Sequence, residues 1–163
     1  MNEPLRIKCA GVEYNGDFIC IQAYSGYNFL MADPTTTEYL LIADTPNEVL
    51  GKAVLDALKQ SRFLSYKEEC ALEKVAEKYY IAWIKKMVNR YGYKNKTELF
   101  LNMKSCMIER HENVLTIRPS HHEDLEVWRC EGIIEEANLK IPVSSSAAKV
   151  GAALRIAFSR CTG

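Results

Sequence analysis

No run in this sequence comes near the roughly twenty apolar residues that a membrane-crossing helix needs. The opening Met1–Asn2–Glu3–Pro4 has neither the basic residues nor the apolar stretch of a secretory signal. No two cysteines share a C-x-x-C spacing: Cys9, Cys20, Cys70, Cys106, Cys130 and Cys161 are scattered, with no metal or redox motif among them. Scattered thiols without an export signal point to a reducing cytoplasm, where cysteine behaves as a small hydrophobe. Cys9, Cys20, Cys106 and Cys161 fall on apolar faces and read as buried free thiols. A glycine-rich phosphate loop is missing too, since Gly11, Gly16 and Gly26 are spaced as turn residues. Internal repeats and linkers are absent, and 163 residues suit one domain over 1–163. Net charge is zero, so the molecule as a whole is not built to attract nucleic acid.

The charge is nevertheless uneven. Residues 85–104 hold Lys85, Lys86, Arg90, Lys94, Lys96 and Lys104 against Glu98 alone. Residues 109–138 hold Glu109, Glu112, Glu123, Asp124, Glu126, Glu131, Glu135 and Glu136 against three arginines. Taken in order, Leu5–Cys9 alternates as a half-buried strand, and Asn15–Gly16–Asp17 turns it into a second strand, Phe18–Tyr24. Tyr24, Tyr27 and Phe29 surround Gly26 as an aromatic loop, Asp33–Thr37 is a polar connector, and Glu38–Ala43 is a third strand. Thr45–Pro46–Asn47–Glu48 spells a capping box for a helix whose apolar face is Val49, Val54, Leu55 and Leu58. Ser65–Glu68 spells another, for a helix ending at Gly92 with Leu72, Val75, Ala76, Tyr79, Trp83 and Met87 on one face. An aromatic stripe at that spacing is ordinarily core, and that reading is preferred to a base-stacking platform. The pairs Glu68–Glu69 and Glu135–Glu136 suit helix starts or exposed faces. Thr97–Asn102 fits a short helical turn, Pro142 confines strand Leu139–Val143 to an edge or an end, and Ser144–Ser146 caps a docked last helix. Strand pairs on short turns predict an α+β fold: one mainly antiparallel sheet with about three main helices packed around it.

The stretch 102–128 organises the rest. Strands Met103–Arg110 and Val114–Arg118 flank a polar turn and form a hairpin that Pro119 stops. A polar segment with His121, His122 and Trp128 follows. Adjacent histidines point to opposite sides of an extended chain, so they make a poor metal pair, and no metal or cofactor is expected. No flanking motif supports a Cys–His nucleophile. Two other classes stay open: a metal-dependent hydrolase using His121 and His122, and a nucleic-acid-binding module using Lys85 to Lys104.

Five pieces of sequence then weigh together: Gly51–Leu58, Tyr91–Gly92–Tyr93, Asn102–Cys106, Ser120–Glu123 with Leu125 and Trp128, and Gly151–Arg155 through Phe158–Cys161. Together they resemble the CdiI immunity proteins of bacterial contact-dependent growth inhibition (CDI), in the branch paired with nuclease toxin tips. The resemblance implies a cytoplasmic, non-catalytic antidote. Its partner would be the cognate CdiA C-terminal toxin domain, a nuclease, with no direct nucleic-acid or membrane partner. It also implies binding by β-augmentation, in which a toxin β-hairpin enters a pocket and extends the sheet. The strands Met103–Arg110 and Val114–Arg118 and the segment His121–Trp128 are the candidates for edge and wall. The expected toxin-binding residues are Lys104, Arg118, His121, His122, Glu123, Asp124, Glu126 and Trp128. Trp128 as core, with structural histidines, is the competing reading.

Overall fold

The computed structural model describes residues 6–163. Of the first expected strand, Leu5 lies outside the described residues, and the strand itself, β1, runs later, over Lys8–Tyr14. Gly16 takes a positive φ of 98°, and the Asn15 side chain accepts the Asp17 N–H at 3.1 Å, which closes a tight turn into β2 (Phe18–Gly26). Two short strands, β3 (Leu30–Ala32) and β4 (Tyr39–Ile42), pair antiparallel with different parts of β2. The expected hairpin forms as β5 (Lys104–His111) and β6 (Val114–Arg118), and β9 (Leu139–Pro142) pairs with β6. The antiparallel order is β3-β2-β1-β5-β6-β9, with β4 also beside β2. Pro142 falls on the edge strand, where its missing N–H costs no ladder bond. The polar segment after Pro119 is a separate ribbon, β7 (His121–Asp124) and β8 (Val127–Arg129), bulged between His122 and Asp124.

Alternation gives the main sheet two different faces. On the first, Ala10, Val12, Ile19, Ile21, Ile108 and Leu115 pack against α1 (Asn47–Gln60) and α4 (Ala147–Arg160). Each fully buried large aliphatic side chain in this layer contributes roughly 1.5–3 kcal/mol. The two helices meet backbone to backbone. A Cβ on Gly51 would lie 1.7 Å from the Ala147 carbonyl oxygen, and one on Gly151 would lie 2.0 Å from that of Asn47. The capping box expected at Thr45 does not form: α1 begins after Pro46 without a side-chain cap, and Thr45 is buried. Arg155 of α4 holds this entry instead, donating to the Thr45 carbonyl at 2.6 Å, the Ala43 carbonyl at 3.1 Å and the Asn47 side chain at 3.0 Å. Val49, expected inside, points outward, and Leu50 and Ala53 take the buried positions.

On the second face lies α2 (Tyr66–Tyr91), which has the predicted reciprocal Ser65–Glu68 cap and a left-handed Gly92 at its end. A short α3 (Lys96–Phe100) leads from it to β5. α2 sits away from the sheet: only Glu69, Leu72 and Met87 are buried along it, and Val75 is exposed. Glu69 is not the surface acid expected of a carboxylate pair. Its Oε1 accepts the N–H groups of Tyr27, Asn28 and Phe29 at 2.8, 2.8 and 3.1 Å, tying α2 to the β2–β3 turn. All six cysteines are free; Cys9, Cys20 and Cys106 are buried as expected, whereas Cys161, expected with them, is only half-buried at the end of α4.

Candidate partner-binding site

Because α2 stands off, a cavity of about 290 Å³ remains between it and the sheet. Its floor is Gly11 and Glu13 of β1 with Gln22 and Tyr24 of β2. Gly11 is no turn residue; it sits in mid-strand, where a Cβ would lie 2.5 Å from the Tyr24 ring, so its missing side chain lets that ring lie across β1. Met31 and Ala32 of β3 form one flank, and Phe100, Met103 and Trp128 the other. The roof is α2, with Ala76, Tyr79, Tyr80 and Trp83 facing in. The aromatic stripe expected to be core is therefore largely the wall of a cavity.

Hydrogen bonds fix these walls. Tyr79 donates to Gln22 Oε1 at 2.9 Å, and Trp83 Nε1 donates to Glu38 at 2.7 Å, a carboxylate that also pairs with Lys86 and takes the Cys20 thiol at 3.3 Å. Tyr80 donates to Glu126 at 2.9 Å, joining α2 to the β7–β8 turn, and Trp128 Nε1 donates to the Met103 carbonyl at 2.9 Å. Glu13 stands apart from this order. Its Oε2 is enclosed and has no hydrogen-bond partner among the described residues. Burial pushes its carboxyl up to about 7, with the Ser105 hydroxyl opposing part of that rise.

Of the eight residues expected to bind the partner, one lies in the lining of this cavity and the others lie outside it. Trp128 lines it, half-buried, with its ring 5.6 Å edge-on from Phe100. Glu126 holds Tyr80 and pairs with Lys96 at 2.9 Å. His122 stacks on Trp128 at 4.5 Å, and its Nε2 donates to the Leu125 carbonyl at 2.9 Å, while His121 Nδ1 lies 2.7 Å from the Thr162 hydroxyl. The two imidazoles are thus engaged separately. Among the described residues, no three His, Cys, Asp or Glu side chains are grouped to hold a metal ion. Lys104 and His122 border a smaller recess of about 190 Å³ beside Thr162. Arg118 pairs with Glu109 at 3.3 Å, Glu123 pairs with Arg129, and Asp124 accepts its neighbour Leu125's N–H at 2.8 Å.

β5 and β6 cannot supply a free edge, because each is paired on both sides. Among the described residues, the strands paired on one side only are β3, β4 and β9 in the main sheet and β8 in the ribbon. Two of these, β3 and β8, contribute residues to the cavity wall. Sequence reasoning missed the floor. The signal was Glu13 two residues beyond Gly11 and four beyond Cys9, on the same side of a strand that was read as ending at Cys9.

Comparison with known proteins gives this architecture a family. A family model described as CDI immunity protein, CdiI, matches residues 8–161. The chain is 37% identical to the immunity protein CdiI-YPIII of Yersinia pseudotuberculosis serotype O:3, over 100% of both chains. A solved toxin and immunity complex, CdiA-CT/CdiI from Yersinia pseudotuberculosis, contains a chain that superposes with a TM-score of 0.89 at 37% identity, covering 98% of this chain and 100% of that one. A protein of unknown function from Neisseria meningitidis superposes with a TM-score of 0.88 at 34% identity, covering 99% and 98%. Matched from β1 to the end of α4 in sequence and in fold, this chain belongs to the CdiI family of CDI immunity proteins.

Proposed function

We propose that this chain neutralises the C-terminal nuclease domain of a cognate CdiA effector by stoichiometric binding, and that it does so by accepting an extended toxin segment at the mouth of the α2 cavity. The observation that carries the reading is the cavity itself: a preformed aromatic recess flanked by β3 and β8, strands with an unpaired side. An added strand gains affinity from main-chain hydrogen bonds and specificity from side-chain pockets, and this site offers both. A recessed edge is also sheltered from self-association. The solved Yersinia complex, in which a CdiI partners a CdiA toxin domain, supports the same reading.

No catalysis is assigned to this chain. Protection would come from occupancy, with one immunity chain per toxin domain and a Kd in the nanomolar range or tighter, about −12 kcal/mol. No helix among the described residues is long and apolar enough to cross a membrane, and we place the encounter in the cytoplasm. Co-expression with the cognate CdiA toxin domain tests the proposal. A stable one-to-one complex is expected, with new hydrogen-exchange protection on β3 or β8 amides. A single immunity chain inactivating many toxin molecules would restore an enzymatic reading, and protection confined to β9 would move the docking edge.

A further inference from the structure

The cavity holds one polar group that the fold leaves unserved. Glu13 Oε2 is enclosed without a donor among the described residues, and no residue lining the cavity is basic. Glu38, the carboxylate behind the wall residues Trp83 and Cys20, is already met by those two and by Lys86. The charge that bears on Glu13 is that of the Cys161 thiolate, which opposes its ionisation, and Glu13 in turn bears on Tyr24, Tyr80, Cys20 and Cys106; none of these groups is a cation. A buried carboxyl in such surroundings is costly to ionise and gains most from a positive charge brought to it.

We propose that Glu13 anchors a single cationic side chain, lysine or arginine, that the toxin domain carries into the cavity on its docking segment. The inference rests on the immunity reading above and adds the chemistry that the pocket selects. The lining suits such a side chain along its length. Methylenes would lie against Met31, Ala76 and Met103, and the cationic head would pass the faces of tyrosine and tryptophan before meeting the carboxylate. Because no other charged side chain lines the site, a toxin with a neutral residue at that position would leave Glu13 unpaired, so the same contact that holds the right partner rejects the wrong one.

Calorimetric titration of the toxin domain into the parent protein and into Glu13→Gln decides the matter, since glutamine keeps the size and polarity that a structural acid would need. The Kd is expected to rise roughly thirtyfold or more, with the melting temperature held within a few degrees. Replacing the toxin's lysines and arginines one at a time by methionine should identify one whose loss weakens the parent complex but leaves the Glu13→Gln complex unchanged. Equal binding by parent and Glu13→Gln would overturn the inference while the immunity reading stands. Failure of the parent to bind the toxin at all would remove both. Should Glu13→Gln not fold, the Glu13 carboxyl carbon resonance of the parent decides instead. It should move to its ionised position in the complex and not with the cation-deleted toxin; no movement overturns the proposal.

Discussion

Asp33 shows how much a single residue's role depends on partners far away in sequence. Read in the chain, it opens a polar connector; in the fold it is buried, and its carboxylate accepts from Ser25 Oγ at 2.7 Å, Thr35 Oγ1 at 2.7 Å and Arg62 Nε at 2.8 Å. Burial acts to raise its pKa, but the Arg62 bond and the other donors outweigh that and hold it at about 2. The folded value lies below the unfolded one of about 3.9. The resulting stabilisation is therefore complete above about pH 5 and is lost progressively as pH falls through about 2. Asp33→Asn should cost about 2 kcal/mol at pH 7, and urea unfolding should show that difference shrinking between pH 4 and pH 2. Glu13 was illegible for a related reason. An acid next to a turn signal looks like part of the turn until the register places it on the floor of a cavity.

At the scale of elements, period two and the terminal punctuation were readable. The β5–β6 hairpin and the Ser65 and Ser146 caps stand where alternation, Pro119 and the cap residues put them. The β7–β8 ribbon was not readable, because β7 is polar throughout and a bulge breaks the ribbon's period. The Thr45 cap failed because a tertiary contact, Arg155, takes over the start of α1. Several of the pieces that carry the family resemblance turn out to be scaffold: Gly51, Gly151 and Arg155 build the α1–α4 crossing, and Gly92 ends α2. Gly151→Ala should therefore destabilise the protein by about 2 kcal/mol or more, against the small gain that alanine brings at an unconstrained helical site. Thermal unfolding checks this, and a gain in melting temperature would refute the close crossing.

For the molecule as a whole, the acidic lobe is weaker than its composition implies. Glu109, Glu123, Glu126 and Glu135 are spent on ion pairs with Arg118, Arg129, Lys96 and Lys140. The exposed acids Glu112, Asp124, Glu131 and Glu136 form no ion pair among the described residues, and they are the ones left to attract the basic toxin domain proposed above. Asp124→Lys together with Glu131→Lys should slow association several-fold at low salt and flatten its salt dependence, with the dissociation rate little changed. Stopped-flow mixing at two ionic strengths measures both; an unaltered association rate would place the encounter surface elsewhere.

The proposed meeting of Glu13 with a toxin cation would also make complex formation a reaction with a proton in its stoichiometry. With a pKa of about 7 the group is roughly half protonated in the free protein at neutral pH, and a cation arriving beside it expels what remains. Up to about half a proton per complex would pass to the solvent. The heat of binding would then include the ionisation enthalpy of whatever buffer receives it, and the affinity would strengthen as the medium becomes more alkaline through this range.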